Sequence, residues 1–290
     1  MPRSKAMIAI LGCGPTGLLA AHACALADAD FRIFSKRRKS QLYGSQYLHE
    51  PIPGVIKEDE GRHVTYVNVG TPEEYRRKTH GKFWDGIIAP EDFETEHMAW
   101  DIREAYHRLW LMYGGCVEDF QIPSRLMENG KPDWAREHPY LHLRHELDIE
   151  SFDLVISTVP RNMWAVSDDQ FIYSLGWAIG DAPENGTFVP YEIDDMTIEC
   201  NGSKFVAYNR LSNVFGYKTV EWPAWMRGVE ITAMTGKEPS RLVKPLRYIP
   251  SGMNCPWNSW LHVGRYGQWQ KGILTTDAFK DVTKRLEYMR

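Results

Sequence analysis

Near its start the chain runs Met7-Ile-Ala-Ile-Leu-Gly-Cys-Gly-Pro-Thr-Gly-Leu-Leu-Ala-Ala-His22, an apolar run broken by Gly12-x-Gly14-x-x-Gly17 and continued by alanine and leucine. The order is strand, tight turn, helix. Gly12 lets the backbone turn sharply, Gly14 removes the side chain that would hold a pyrophosphate away, and Gly17 lets the helix lie close on the strand. Pro15 and Thr16 open the helix, whose free N–H groups and positive dipole end face the phosphates. With these flanks the motif reads as a dinucleotide site and commits the chain to an α/β fold.

Composition sets the limits within which that site works. At 290 residues, 43% hydrophobic and 25% charged, the chain can bury a full core in one large or two joined domains. Its net charge of -4 gives no overall drive toward a polyanion, so DNA is reachable only through a local basic patch. Five cysteines without a C-x-x-C pair point to reduced thiols in a cytoplasm-like compartment and away from a redox disulfide. No apolar run approaches the length of a membrane span, and the first one reads as a strand rather than a signal peptide. Nothing in the sequence sets the oligomeric state.

The first strand is expected over Ala6 to Leu11, the first helix over Thr16 to Leu26 with Leu18, Leu19 and Ala25 toward the sheet, and a second strand over Phe31 to Phe34. A dinucleotide fold normally places an acid at the end of that second strand, for the adenosine ribose. This chain reads Ser35-Lys-Arg-Arg-Lys39 instead. Two readings stand: Ser35 and Lys36 open a basic cluster that selects a ribose 2′-phosphate, favouring NADP, or the turn is solvated and Ser35 meets the ribose in place of the acid.

Leu42 to Gly54 carries too many turn formers for a helix and reads as an ordered loop. A strand is expected over His63 to Val69, a helix start at Thr71-Pro72 with Thr71 as N-cap, and a longer helix over Glu96 to Tyr113 with Ile102, Ala105, Leu109 and Met112 on one stripe. Val117 to Ile122 reads as a strand and Asn129 to Asp133 as a turn. Phe152 to Pro160 is a near-continuous apolar strand of the kind buried in a parallel sheet. The chain is thus expected to leave the nucleotide fold near residue 70 and return near 152. From about 165 to 260, aromatic and polar residues alternate in short strands (Met196 to Cys200, Phe205 to Leu211, Val214 to Trp222), an antiparallel second lobe. Trp260 to Val263 runs as a strand into Gly264-Arg-Tyr-Gly-Gln-Trp269, and a helix follows over Asp277 to Met289 with Thr276 as N-cap.

Gly12 to Gly17, the Phe152 to Pro160 strand end and Gly264 to Phe279 together resemble the two-lobed FAD-binding flavoproteins. Within these the chain is most similar to the branch of UDP-galactopyranose mutase, protoporphyrinogen oxidase and the amine oxidases. The resemblance implies a Rossmann-like FAD-binding lobe formed by residues 1–164 and 260–290, with a helical insertion at about 71–114, and an inserted antiparallel-sheet substrate lobe over 165–259. It implies that Gly12, Gly14 and Gly17 hold the pyrophosphate and that Thr158 lies by the dinucleotide. By the same likeness Gly264, Arg265 and Gly267 meet phosphate, and the helix start at Thr275 faces the flavin. The chain departs from the family at Ser35, where an acid is expected, and at Gly44-Ser45, where Gly-Gly is expected. The loop Gly44-Ser-Gln46-Tyr-Leu-His49 is similar to one in small phage-encoded FAD proteins, some of which belong to thymidine hypermodification. That likeness implies a lyase acting on an amino-acid-derived adduct of the base, in a host cytoplasm.

Two side chains are candidates for chemistry. His49 titrates near neutrality and is read either as a proton carrier or as a structural hydrogen-bonding histidine. Arg210, in an apolar strand, is read either as an anchor for a substrate carboxylate or phosphate or as one half of a salt bridge. His138, His142 and His145 look metal-like, but a strand would send the last two to opposite faces and Pro139 argues against a helix, so no metal site is expected. The expected activity is FAD-dependent oxidation, or redox-assisted cleavage, at a carbon next to nitrogen in a small polar or modified-nucleotide substrate. The alternatives are a non-redox flavin mutase and an NADP-binding protein without catalysis. A single G-x-G-x-x-G leaves no second nucleotide fold for NADPH, so electrons are expected from the substrate.

Overall fold

The computed structural model describes residues 5–36, 38, 42, 44–81, 96–122, 139–164, 169–180, 192–250 and 260–290. In chain order the first elements are β1 (Met7–Leu11), α1 (Pro15–Leu26), β2 (Asp30–Ser35), β3 (Arg62–Val69), α2 (Pro72–His80), β4 (Glu96–Ala99), α3 (Ile102–Tyr113), β5 (Val117–Asp119) and α4 (Pro139–Leu147). There follow β6 (Leu154–Ser157), β7 (Gln170–Gly180), β8 (Thr197–Asn201), β9 (Arg210–Val214), β10 (Tyr217–Pro223), α5 (Gly228–Thr235), β11 (Ser240–Ile249), β12 (Trp260–His262), α6 (Gly264–Gln268) and α7 (Thr275–Met289). The chain divides into two compact units, residues 1–39, 104–171 and 247–290 in the first, 40–103 and 172–246 in the second.

The first unit is built on a five-stranded sheet of order β12-β6-β1-β2-β5, every pairing parallel. From β1 the chain steps one way to β2 and β5 and the other way to β6 and β12. The topological switch therefore falls between β1 and β6, the place where such sheets bind ligands beyond the carboxyl ends of their strands. β1 and β6 are buried on both faces, as their unbroken apolar sequences require. Leu18 and Leu19 of α1 are buried, each contributing roughly 1.5–3 kcal/mol. Ala25 is exposed, because the buried face of α1 ends at Cys24. The opposite face of the sheet carries a core of Phe34, Phe152, Leu143, Ile149 and Trp164.

The second unit holds a seven-stranded sheet of order β11-β7-β10-β9-β8-β3-β4. β7 with β10, β10 with β9, β9 with β8 and β3 with β4 pair antiparallel, and β3 pairs with β8 in parallel. β9 and β10 form a tight hairpin through Phe215 and Gly216, both at positive φ (55° and 77°), the turn whose twist suits two strands. α2 begins as expected: Thr71 accepts from the Glu74 N–H, the Glu74 carboxylate accepts from the Thr71 N–H, and Pro72 occupies the first turn.

Several expectations are corrected. β3 pairs with β8, so the chain leaves the parallel sheet near residue 40 rather than 70, and β5 returns to it before residue 152. Glu96 to Ala99 is a strand against β3, and the helix begins only at Ile102, behind Asp101, whose carboxylate accepts from the Arg103 N–H. On that helix Ile102, Ala105 and Leu109 are buried but Met112 is exposed. Residues 139–147 are helical, because proline at the first helical position lacks only an N–H that has no acceptor there. α7 starts at Thr275, with the Leu274 N–H donating to the Asp277 carboxylate, so Thr276 is inside the helix and not its cap. The strand expected over Phe205 to Leu211 begins at Arg210. The turn at Asn129 to Asp133 and His138 lie outside the described residues. Among the described residues no helix is long and apolar enough to cross a membrane.

Candidate functional site

In the first unit, three segments meet at the carboxyl ends of β1, β6 and β12. Gly12 has φ of +101°, and a Cβ there would lie 2.6 Å from the Thr158 hydroxyl, which itself donates to the Leu11 carbonyl at 2.9 Å. Thr158 thus braces the glycine turn from the β6 side. A Cβ at Gly17 would lie 2.0 Å from the Gly12 carbonyl oxygen, so backbone rests on backbone where strand turns into helix. At Gly14 a Cβ would meet nothing within 4 Å. Gly12 thus makes the tight turn and Gly17 the close helix–strand packing that the motif requires, and open space lies in front of Gly14.

Gly264 has φ of +73°, and a Cβ there would meet the Thr16 methyl at 2.7 Å, so the turn after β12 is seated on the first turn of α1. A Cβ at Gly267 would lie 2.8 Å from the Ser157 carbonyl oxygen. Leu18 N–H closes the first helical bond onto Gly14. Pro15 has no N–H, which leaves those of Thr16 and Gly17 as the first-turn donors without an acceptor in the helix. No acid stands in that turn. Buried polar atoms without a protein partner fall on the neighbouring segments: Asn162 Oδ1 after β6, His262 Nδ1 at the end of β12 and Thr276 Oγ1 in the first turn of α7. Burial, with the Arg161 charge added, pushes the His262 imidazole down to about 3, so it is neutral at physiological pH. A polar ligand with phosphate and hydrogen-bonding groups fits such a cradle.

At the end of β2, Ser35 is half-buried and its hydroxyl hydrogen-bonds the Cys13 thiol, while Lys36 is exposed. Burial raises the Cys13 thiol above its ordinary value; the Ser35 bond and the Arg38 charge oppose this. Arg38 stands 5.3 Å over the Tyr106 ring and 5.2 Å over that of Trp110, and the Tyr106 hydroxyl donates to the Cys13 carbonyl at 2.9 Å. The remaining members of the basic run, Arg37 and Lys39, lie outside the described residues.

The other candidates belong to the second unit. Gln46 and His49 sit in the loop that Arg103 ties down, donating to the Leu42 and Gln46 carbonyls and stacking 4.1 Å over Tyr217. His49 stacks on His97 at 5.2 Å between ring centroids and tilts against Tyr47 at 4.7 Å. The Tyr47 hydroxyl bonds His97 Nε2 and, at 2.7 Å, the Tyr66 hydroxyl. Sequence reasoning missed this cluster of rings, because β3 and β4 bring together residues some 20 to 50 apart. His142 pairs with Glu146 at 3.0 Å on α4, and among the described residues no three His, Cys, Asp or Glu side chains gather as metal ligands.

Arg210, on β9, is engaged by protein partners, as its salt-bridge reading expects. Its Nε donates to the Tyr75 hydroxyl at 3.0 Å, and its guanidinium lies 3.9 Å from Glu221, which Lys244 binds at 2.6 Å. Glu221 is buried (4% exposed), whereas the Arg210 side chain is 28% exposed and Lys244 14%. Glu221 thus meets two cations, Lys244 closely and Arg210 more loosely. A Cβ at Gly44 would meet Glu221 at 2.9 Å, so this acid also seats the Gly44-Ser45 turn. Burial alone would raise the Glu221 carboxyl; the charges of Lys244 and Arg210, the Lys244 hydrogen bond and the Ser45 N–H outweigh it and bring it to about 2.

No protein-family profile matches the sequence, and no curated protein sequence matches it. The fold is shared with solved flavoproteins. Reduced UDP-galactopyranose mutase aligns over 99% of this chain and 94% of its own, at 10% identity and a TM-score of 0.53. CtdE in complex with FAD aligns over 98% and 84%, at 11% identity and 0.50. Aklavinone-11 hydroxylase, in a ternary complex with FAD and aklavinone, aligns over 100% of this chain and 63% of its own, at 10% identity and 0.51. At such identities the likeness establishes the mixed α/β fold, a parallel Rossmann-like sheet with a separate, mainly antiparallel one.

The buried acid generates a pH prediction. Because the folded carboxyl of Glu221 is depressed, its contribution is present above the unfolded carboxylate value and is lost as pH falls toward 2. Urea unfolding of wild type should therefore lose stability between about pH 4.5 and 2, with Glu221→Gln less stable at pH 7 and less pH-dependent across that window. Parallel pH profiles for the two proteins would show that the carboxyl is not held down.

Proposed function

We propose that this chain is an FAD-dependent enzyme whose first unit binds the dinucleotide and whose second unit supplies substrate-recognising side chains. The observation that carries the reading is the meeting of Gly12, Gly14 and Gly17 with Thr158 and Gly264 beyond the carboxyl ends of a parallel sheet, with space left at Gly14. In this reading the Thr16 and Gly17 N–H groups meet the pyrophosphate behind Pro15, and Thr158 keeps the turn in place. Gly264, Arg265 and Gly267 close the phosphate side, Ser35 and Lys36 border the adenosine, and Thr275 opens a second helix toward the ring system. The flavin neighbours of the same fold, two of them complexes with FAD, support this choice of dinucleotide.

Bound FAD supplies a two-electron acceptor, and the protein supplies position and electrostatics. The reaction we infer is oxidation, or redox-assisted cleavage, at a carbon next to nitrogen, in which His49 would accept the proton that the substrate nitrogen gives up. His97 stacks under His49 and bonds Tyr47, which orients the imidazole and gives the proton a hydrogen-bonded neighbourhood. Arg210, with its charge incompletely matched by the shared Glu221, recognises an anionic group on the substrate. A polar amine bearing a carboxylate or phosphate, including an amino-acid adduct of a nucleotide, suits that pair. Among the described strands, the second sheet contains no βαβ nucleotide fold, which supports reduction by substrate rather than by NADPH.

Gly14→Val tests the cofactor assignment. Its Cβ would meet no protein atom within 4 Å and its methyls would enter the space proposed for phosphate, so the variant should fold and melt like wild type yet lose FAD. Equal FAD retention by the two proteins would contradict the assignment. In anaerobic stopped-flow mixing, NADPH should bleach the bound flavin no faster than a nonspecific background; rapid saturable bleaching would move the protein to the NADPH-dependent hydroxylases.

A further inference from the structure

The chain carries serine where a dinucleotide fold normally carries its ribose-binding acid, and the sheet register shows where a carboxylate stands instead. β5 runs parallel to β2 with Ser35 opposite Asp119, and the Phe120 N–H extends the ladder by donating to the Ser35 carbonyl at 3.3 Å. Residues paired across neighbouring strands project to the same face, so Asp119 shares the face on which the Ser35 hydroxyl meets the Cys13 thiol of the glycine loop. It is displaced by one strand spacing, about 4.8 Å. Asp119 is also the last residue of β5, at the carboxyl edge of the parallel sheet where ligands bind.

The two acids of β5 differ in how they are used. Glu118 points to the opposite face and is held by Arg32 through two hydrogen bonds of 2.6 Å. Asp119 is exposed and joined to no other described residue by an ion pair or hydrogen bond. A structural acid would be engaged as Glu118 is. Ser35 is small, and its hydroxyl is engaged by the Cys13 thiol.

Resting on the dinucleotide reading, we propose that Asp119 is the ribose-recognising acid of this site, transferred from the end of β2 to the adjacent strand. Its carboxylate accepts hydrogen bonds from the 2′- and 3′-hydroxyls of the adenosine ribose and repels a 2′-phosphate. The site therefore selects FAD and other adenosine 5′-diphosphates over 2′-phosphorylated nucleotides, despite the basic residues that follow Ser35. Arg38, set on Tyr106 and Trp110, is the competing reader: if it governed the site, a 2′-phosphate would be preferred.

The test is competition against FAD on the full chain with ADP, 2′-deoxy-ADP and adenosine 2′,5′-bisphosphate. Wild type should bind ADP about tenfold more tightly than the deoxy compound, the loss expected for a charge-assisted hydrogen bond, and the bisphosphate more weakly than ADP. Asp119→Ala should lose at least tenfold for FAD and ADP, no longer distinguish ADP from 2′-deoxy-ADP, and melt at the wild-type temperature because the residue is exposed; Asp119→Asn repeats the measurement in an isosteric form. FAD binding unchanged in both variants would overturn the proposal and leave the flavin reading standing. A wild-type preference for the bisphosphate would overturn it in favour of Arg38. Failure of wild type to bind either FAD or ADP would remove the dinucleotide reading and this proposal together.

Discussion

The first unit depends on backbone lying directly on backbone where β1 turns into α1. A single added carbon at Gly17 would come within 2.0 Å of the Gly12 carbonyl, a distance no non-bonded pair tolerates. The contact fixes the direction in which α1 leaves the sheet and hence where its first-turn N–H groups point. Thr158 locks the turn from β6, Gly264 rests on Thr16 from β12, and α7 packs along α1. Three distant stretches of sequence thus converge because each contributes a small residue or a short hydroxyl at the same crowded point. The pattern of glycines that gives the fold its close packing also leaves Gly14 facing open space, where the proposed phosphate would lie.

The second unit solves a different problem, the burial of charge. Glu221 is sequestered in β10 and is tolerated because Lys244, Arg210 and the Ser45 N–H surround it. A lone carboxylate in that position would cost several kcal/mol. The acid in turn dictates glycine at position 44 and so shapes the loop that carries Gln46 and His49. Arg103 secures the same loop from below through two carbonyls and the Tyr217 ring. Arg210 accordingly has a structural duty through Tyr75 and Glu221, the salt-bridge reading of this residue.

Local features were legible in the sequence wherever a short-range rule governs them. The β1–α1 turn, the Thr71 cap and the apolar strand at Leu154–Ser157 follow from glycine placement, capping chemistry and double-sided burial. Long-range pairing was not legible. Glu96 to Ala99 continues a helical pattern into α3, and only its partner β3 makes it a strand; β3 itself looks the same whether it pairs in one sheet or the other. Pro139 reads as a helix breaker until it is seen in the first turn. The ring cluster around His49 and the position of Asp119 opposite Ser35 are products of register, which no spacing along the chain encodes. Fold and cofactor chemistry are therefore closer to the surface of this sequence than substrate chemistry, since the first rest on one motif and the second on side chains gathered from several strands.

The central claim is that the glycine cradle of the first unit holds a flavin dinucleotide. The visible absorption spectrum of the purified protein, followed by mass identification of whatever small molecule is released on denaturation, tests it most directly. The account predicts the two absorption bands of a bound flavin, restored by adding FAD to stripped protein, and FAD as the released species. A colourless protein that FAD does not reconstitute, but that binds NADPH, would contradict it.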